Sequence, residues 1–162
     1  MKRLILVCGP AAIGKSTFSN KFFSEHPKER CVILAADEVR KDMYGSYKKF
    51  PPEFNMMIVY REMFRRVKEL TDKYEDITIL FDTTMLYDEL RLFMRRHMPQ
   101  FDEYHLVLLK LHDYSVCLQR NRMRNPDKWV PEHIIKNMCE HYDDPGKNCL
   151  AHFDHYEEVY VD

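Results

Sequence analysis

Residues 9–16 read Gly-Pro-Ala-Ala-Ile-Gly-Lys-Ser and follow the apolar run Leu4-Ile5-Leu6-Val7. The spacing G-x-x-x-x-G-K-S, set between a strand and a helix, is that of a phosphate-binding loop. Gly9 and Gly14 permit backbone conformations that a Cβ would block, so the N–H groups that follow Pro10, those of Ala11, Ala12 and Ile13, can turn around an anion. The helix that starts near Lys15, with Ser16 and Thr17 in its first turn, aims its positive end at the same phosphate. Lys15 supplies a mobile cation for the β- and γ-phosphates, and Ser16 a hydroxyl for Mg²⁺. The expected ligands are therefore ATP and Mg²⁺.

Moving a γ-phosphoryl group to a hydroxyl also needs a base at the acceptor, a metal ligand and cations on the transferring oxygens. Asp37 closes the second apolar run, Cys31–Ala36, and Arg40 stands three residues on, so both can face one cleft. Two roles fit Asp37: general base, or cap of a helix beginning at Glu38. Asp82, followed by Thr83 and Thr84, ends the run Ile77–Phe81. It suits a metal-orienting carboxylate, acting directly or through water, or a tie for its own loop. The segment from Gln119 to Trp129 carries Arg120, Arg122, Arg124 and Lys128. With Arg120 and Arg124 one helical turn apart on one face, it reads as a lid over approximately 120–130, or as a solvated basic face.

The elements that must hold these groups follow from periodicity. Apolar runs at 4–8, 31–36, 77–81 and 104–111 read as buried strands, with a short fifth at 157–161. Helical spacing appears at 15–25, from Asp37 to Tyr44, 53–73, 88–98, 114–123 and 131–142. Strands alternating with helices imply an α/β fold with a parallel sheet covered on both faces, in three layers. Ligands of such sheets bind beyond the carboxyl ends of the strands. The phosphate loop, Asp37 and Asp82 each directly follow a strand, so all three are expected on one edge. No repeat, low-complexity stretch or linker divides the chain, which reads as a single domain over 1–162.

The loop, the Asp37-x-x-Arg40 pair, Phe81-Asp82-Thr83-Thr84, and Arg120-x-x-x-Arg124 leading into Val130-Pro131 together resemble the kinase domain of the polynucleotide 5′-kinases. The match is collinear over about residues 3–142. It implies an adenylate-kinase-like phosphate-loop fold of about five strands with a small lid. It also implies Asp37 as general base for a 5′-hydroxyl, Arg40 as acceptor contact, Arg124 as lid arginine on the ATP phosphates with Arg120 a turn earlier, and Thr83 lining the phosphate site. The family's D-T-N is D-T-T here. Related kinases of nucleosides, sugars and other small metabolites share the scaffold. The acceptor is thus a 5′-hydroxyl nucleic acid or a small molecule, with a non-catalytic nucleotide switch as a third reading.

The net charge of −1 on 162 residues excludes a global field drawing the chain to nucleic acid, but basic residues bunch at 48–49, 61–68, 91–96 and 120–128. No run approaches the roughly 20 apolar residues of a membrane helix, so no membrane partner is expected. Five scattered cysteines, an odd number with no C-x-x-C, read as reduced thiols of a cytoplasmic protein. Cys139, His141, Cys149, His152 and His155 lie close in sequence, but C-x-H and C-x-x-H are not structural zinc spacings. Tyr44, Tyr47, Phe50 and Phe54 are placed either to stack acceptor bases or to pack the long helix.

Overall fold

Five short runs, four of them rich in aliphatic residues, pair into one sheet in a computed structural model that describes residues 1–162. The strands are β1 (Lys2–Cys8), β2 (Cys31–Ala35), β3 (Ile77–Asp82), β4 (Glu103–Lys110) and β5 (His155–Tyr160), in the order β2-β3-β1-β4-β5. All four pairings are parallel, with Leu6 opposite Phe81 on one side and Leu106 on the other. Parallel neighbours cannot be joined by hairpins, so each link crosses a face of the sheet. The crossings are made by α1 (Lys15–Glu25), α2 (Ala36–Tyr44), α3 (Met56–Lys73), α4 (Asp88–His97), α5 (Ser115–Met123), α6 (Glu132–Glu140) and a single turn, α7 (Lys147–Leu150). This is the phosphate-loop NTPase kinase fold, of the adenylate-kinase-like type that the resemblance implied.

Alternation along β1 splits the core in two. Leu4, Leu6 and Cys8 face a larger cluster with Val59, Met63 and Val67 of α3 and Met94 of α4. Ile5 and Val7 face a second cluster with Cys117 of α5 and Ile135 of α6, against which Phe18 and Phe22 of α1 pack. Each such fully buried side chain contributes about 1.5–3 kcal/mol relative to exposure. All six residues of β3 are buried, whereas β5, at the sheet edge, is mostly exposed. The loop after β1 and the aspartate ending β3 therefore rest on two of the three strands with neighbours on both sides. No helix is long and apolar enough to cross a membrane.

Several element ends differ from the sequence reading, and two matter for the site. The long helix starts at Met56 rather than 53, because the Asn55 side chain caps it by accepting from Met57 N at 3.0 Å. The second helix starts at Ala36 with Ala35 as its cap residue, so Asp37 lies inside the first turn and is not the cap. Helix α5 ends at Met123, and Arg124 takes extended backbone (φ −78°, ψ 163°). Arg120 and Arg124 therefore share no helical face. Helix α7 was not expected, and β5 begins two residues earlier, at His155.

Candidate active site

The loop folds as its glycines require. A Cβ on Gly9 would meet Ile13 Cγ2 at 2.7 Å, and Gly14 sits at φ +119°, a region closed to most side chains. The Gly9 N–H donates to Thr84 O at 2.9 Å, fastening the loop to the segment after β3. Helix α1 has no acidic residue in its first turn, so nothing competes with an anion at its positive end. Lys15 curls back, its ammonium donating to Gly9 O at 2.9 Å and Pro10 O at 3.0 Å. Burial lowers its pKa, an effect the Asp82 and Asp37 carboxylates oppose. Ser16 and Thr17 are exposed on the cleft.

Asp82 lies between Val7 of β1 and Ala35 of β2 in register, which brings the ends of three strands together. It is 5% exposed, faces the cleft and accepts no hydrogen bond from the protein. Burial pushes its carboxyl up to about 6, with Lys15 pulling down and Asp37 pushing up. A buried, donor-free carboxylate beside a serine hydroxyl is the hard-oxygen set that Mg²⁺ takes. Thr83 is buried, and Thr84 lines the cleft beside it.

Asp37 receives a hydrogen bond from the Arg40 guanidinium at 2.8 Å and keeps about half of its side chain open to the cleft. Arg40 lies over the Phe50 ring at 5.2 Å, and its Nε is buried without a partner. Arg124 donates to Asn121 Oδ1 at 2.9 Å and Lys128 O at 2.8 Å, which leaves a second buried, unpartnered Nε. Burial lowers the Arg124 pKa, and Asp37 raises it again. Arg120 is placed differently: its guanidinium donates to Ile13 O at 2.7 Å and Val161 O at 2.5 Å, tying the phosphate loop to the chain beyond β5.

Of the residues that hold the segment after α5, Asn121 and Glu38 carried no motif and were missed. Buried Asn121 accepts from Val130 N at 3.0 Å and donates to Val130 O at 2.9 Å, closing the 121–130 loop like a strand pair. Lys128 reaches Glu38 of α2 at 2.9 Å, Tyr47 donates to the same carboxylate at 2.8 Å, and Lys48 donates to Pro126 O at 2.7 Å. The 121–130 segment is thus clasped across the cleft to the helix that carries Asp37. A lysine two residues past an Asn-Pro was the available signal, but no spacing rule pairs it with residue 38.

Other groups singled out in the sequence take their places in the fold. Of the four aromatics, Tyr47 and Phe50 line the cleft, while Tyr44 and Phe54 pack edge to face at 5.5 Å and Phe54 joins the core. The bunch at 61–68 is spent on its own helix and α2, with Arg65 on Glu62 and Glu69, Arg66 on Glu62 and Asp42, and Lys68 on Asp72. Arg91 is fully buried and donates to Met85 O, Leu86 O, Asp143 O and Asp88. Among the clustered thiols and imidazoles, Cys139 neighbours Cys117 and Cys149 neighbours Asp88, in different parts of the fold.

The cleft so formed holds about 1590 Å³ and contains the loop, Asp37, Arg40, Asp82, Thr83, Arg120 and Arg124. That exceeds the roughly 300–1,000 Å³ of a single small-ligand pocket, leaving room for a nucleotide and an acceptor together.

The profile of the AAA_33 family, described as AAA domain, matches residues 4–145. Among curated proteins, the chain is 26% identical over 148 residues to an L-seryl-tRNA(Sec) kinase of Methanococcus maripaludis, covering 88% of this chain and 53% of that protein. It spans about half the length of that relative. Among solved structures it is similar to Kti12 of Chaetomium thermophilum in complex with ADP-AlF3, with TM-score 0.74 at 12% identity over 98% of this chain and 89% of that one. It is also similar to a fungal RNA kinase, with TM-score 0.67 at 14% identity over 100% of this chain and 40% of that one. At such identities these two structures speak for the fold alone.

Proposed function

For this chain, which belongs to the AAA_33 family of phosphate-loop kinases, we propose transfer of the ATP γ-phosphate to a hydroxyl carried by a nucleic acid, a polynucleotide 5′-hydroxyl above all. The observation that carries the proposal is the Asp37–Arg40 pair, 2.8 Å apart, opening on the same cleft as Lys15 and Asp82. A nucleotide switch has no use for a carboxylate aimed at the acceptor side.

In the proposed reaction the loop N–H groups and the α1 terminus seat the phosphates, and Lys15 leaves the Gly9 and Pro10 carbonyls to meet them. Ser16 and Asp82 would hold Mg²⁺, which supplies charge neutralisation at the bridging oxygens. Asp37 takes the acceptor proton as the new P–O bond forms and the bond from the γ-phosphorus to the leaving ADP breaks. Arg40 holds Asp37 in place and meets the acceptor, and Arg124 meets the transferring group. Arg120, committed to Ile13 and Val161, acts by positioning the loop. A cytoplasmic setting belongs to the same proposal, since all five cysteines are free thiols.

The name of the seryl-tRNA(Sec) kinase supports an acceptor hydroxyl attached to nucleic acid. One observation favours a small-molecule hydroxyl instead: the Lys128–Glu38 and Lys48–Pro126 contacts bridge the cleft over its acceptor end. Labelled ATP incubated with 5′-hydroxyl oligonucleotides, nucleosides and sugars separates the two. Labelled oligonucleotide is the expected product. Label only on an uncharged metabolite contradicts the nucleic-acid reading.

A further inference from the structure

At the end of the sheet away from the cleft, where β4 and β5 begin, three side chains converge. Glu103 and His105 stand two apart on β4 and so share a face, and His155 is the register partner of His105 on β5. The two imidazole rings lie side by side, centroids 4.4 Å apart and 30° from parallel. Both Nε2 atoms approach one carboxylate oxygen, Glu103 Oε1, at 2.5 Å from His105 and 3.3 Å from His155. One donor atom from each residue fits within 4.8 Å of the others.

We propose that Glu103, His105 and His155 form a site for a divalent transition-metal ion of the zinc class, remote from the nucleotide cleft. Two imidazole nitrogens and one carboxylate oxygen are a donor set for Zn²⁺ and its first-row neighbours, and a poor one for Mg²⁺ or Ca²⁺. The local charge accepts a cation: Arg3 lies 3.4 Å from Glu103, but Glu29 lies 3.7 Å from the same guanidinium. Two carboxylates thus face one arginine, which leaves the imidazoles beside a net negative charge. The ion replaces the proton that His105 Nε2 shares with Glu103, and water completes its shell on the exposed His155 side.

Such an ion staples the edge strand to its neighbour. Without it, β5 is anchored at this end mainly by Asp154, whose carboxylate accepts from Tyr104 N at 2.8 Å and whose N–H donates to Tyr104 O at 2.8 Å. Just past its far end, Val161 accepts the Arg120 hydrogen bond that also steadies Ile13. The ion therefore acts on stability and only indirectly on the phosphate loop.

The test uses the full chain, stripped with chelator and titrated with ZnCl₂ by calorimetry, with Co²⁺ absorption as a second readout. The expected result is one Zn²⁺ per chain, a melting temperature several degrees higher at saturating zinc, and a Co²⁺ spectrum free of sulfur charge-transfer bands. His155→Gln and Glu103→Gln each leave a folded chain by circular dichroism and weaken binding about 100-fold or more, beyond the loss seen when only a ligand's supporting partner is removed. No saturable Zn²⁺ binding overturns the proposal. So does binding that survives both substitutions, which would place the ion at Asp82, or sulfur bands, which would place it on the thiols.

Discussion

A single carboxylate shows how one residue's surroundings set its chemistry. Asp82 is buried with Lys15 as its nearest opposing charge, and its carboxyl is raised to about 6. Because the folded value lies above the unfolded one, folding favours the protonated form. The stability that this gives is complete below about pH 4 and is lost as pH rises through about 6. Asp82→Asn should therefore be more stable than the parent at pH 8 by about 1–3 kcal/mol, with the difference vanishing near pH 4. Urea melts at both pH values check this, and a variant that is less stable at pH 8 contradicts it. The same variant should lose most turnover, because the amide is a poorer Mg²⁺ ligand. Lys15→Ala should abolish transfer without unfolding the chain, since its ammonium is bound only to two loop carbonyls. At this scale much was readable from sequence: the loop is a spacing rule, and each aspartate follows an apolar run. What Arg91 does was not readable, because burial of a guanidinium depends on carbonyls 52 residues away. Arg91→Met should cost about 3–5 kcal/mol, since it takes the guanidinium donor from Met85 O and Asp143 O and one of two donors from Leu86 O and from Asp88, and thermal melts measure it.

Among the elements, the lid departs furthest from its sequence reading. Periodicity put Arg120 and Arg124 on one helical face, but α5 stops at Met123 and the next residue is extended. The helix ends there because Asn121 turns its side chain to Val130 and Arg124, a contact between residues nine apart that periodicity cannot encode. The two arginines consequently separate in role. Arg124→Ala should lower kcat by about 10³-fold or more with little change in ATP affinity, as for arginines that meet charge in a phosphoryl transition state. Arg120→Ala should instead weaken ATP binding and lower the melting temperature. Nucleotide titrations and single-turnover rates on both variants distinguish them, and an exchange of the two phenotypes would contradict the assignment. The sheet was far more legible than the lid. Apolar strands buried on both faces announce themselves locally, and their alternation with helices leaves few topologies open. The exposed β5 lacked that signal, and its start was misplaced accordingly.

For the whole molecule, the net charge of −1 hides a cleft lined by Lys15, Arg40, Lys48, Arg120, Arg124 and Lys128. If the acceptor is a nucleic acid, its apparent affinity should fall steeply with added salt, because bound phosphates release counterions. A neutral metabolite should show little such dependence. Acceptor KM measured between 50 and 200 mM salt, on the order of the range where phosphate contacts tell, decides between them. The deepest claim is that the ends of β1, β2 and β3 assemble a single kinase centre in which Asp37 deprotonates the acceptor. The direct measurement is single-turnover transfer from labelled ATP to a 5′-hydroxyl oligonucleotide by the wild type and Asp37→Asn, with ATP affinity determined in parallel. Unchanged ATP affinity with transfer reduced by about 10²-fold or more is the predicted result. Equal transfer rates in the two proteins would contradict it.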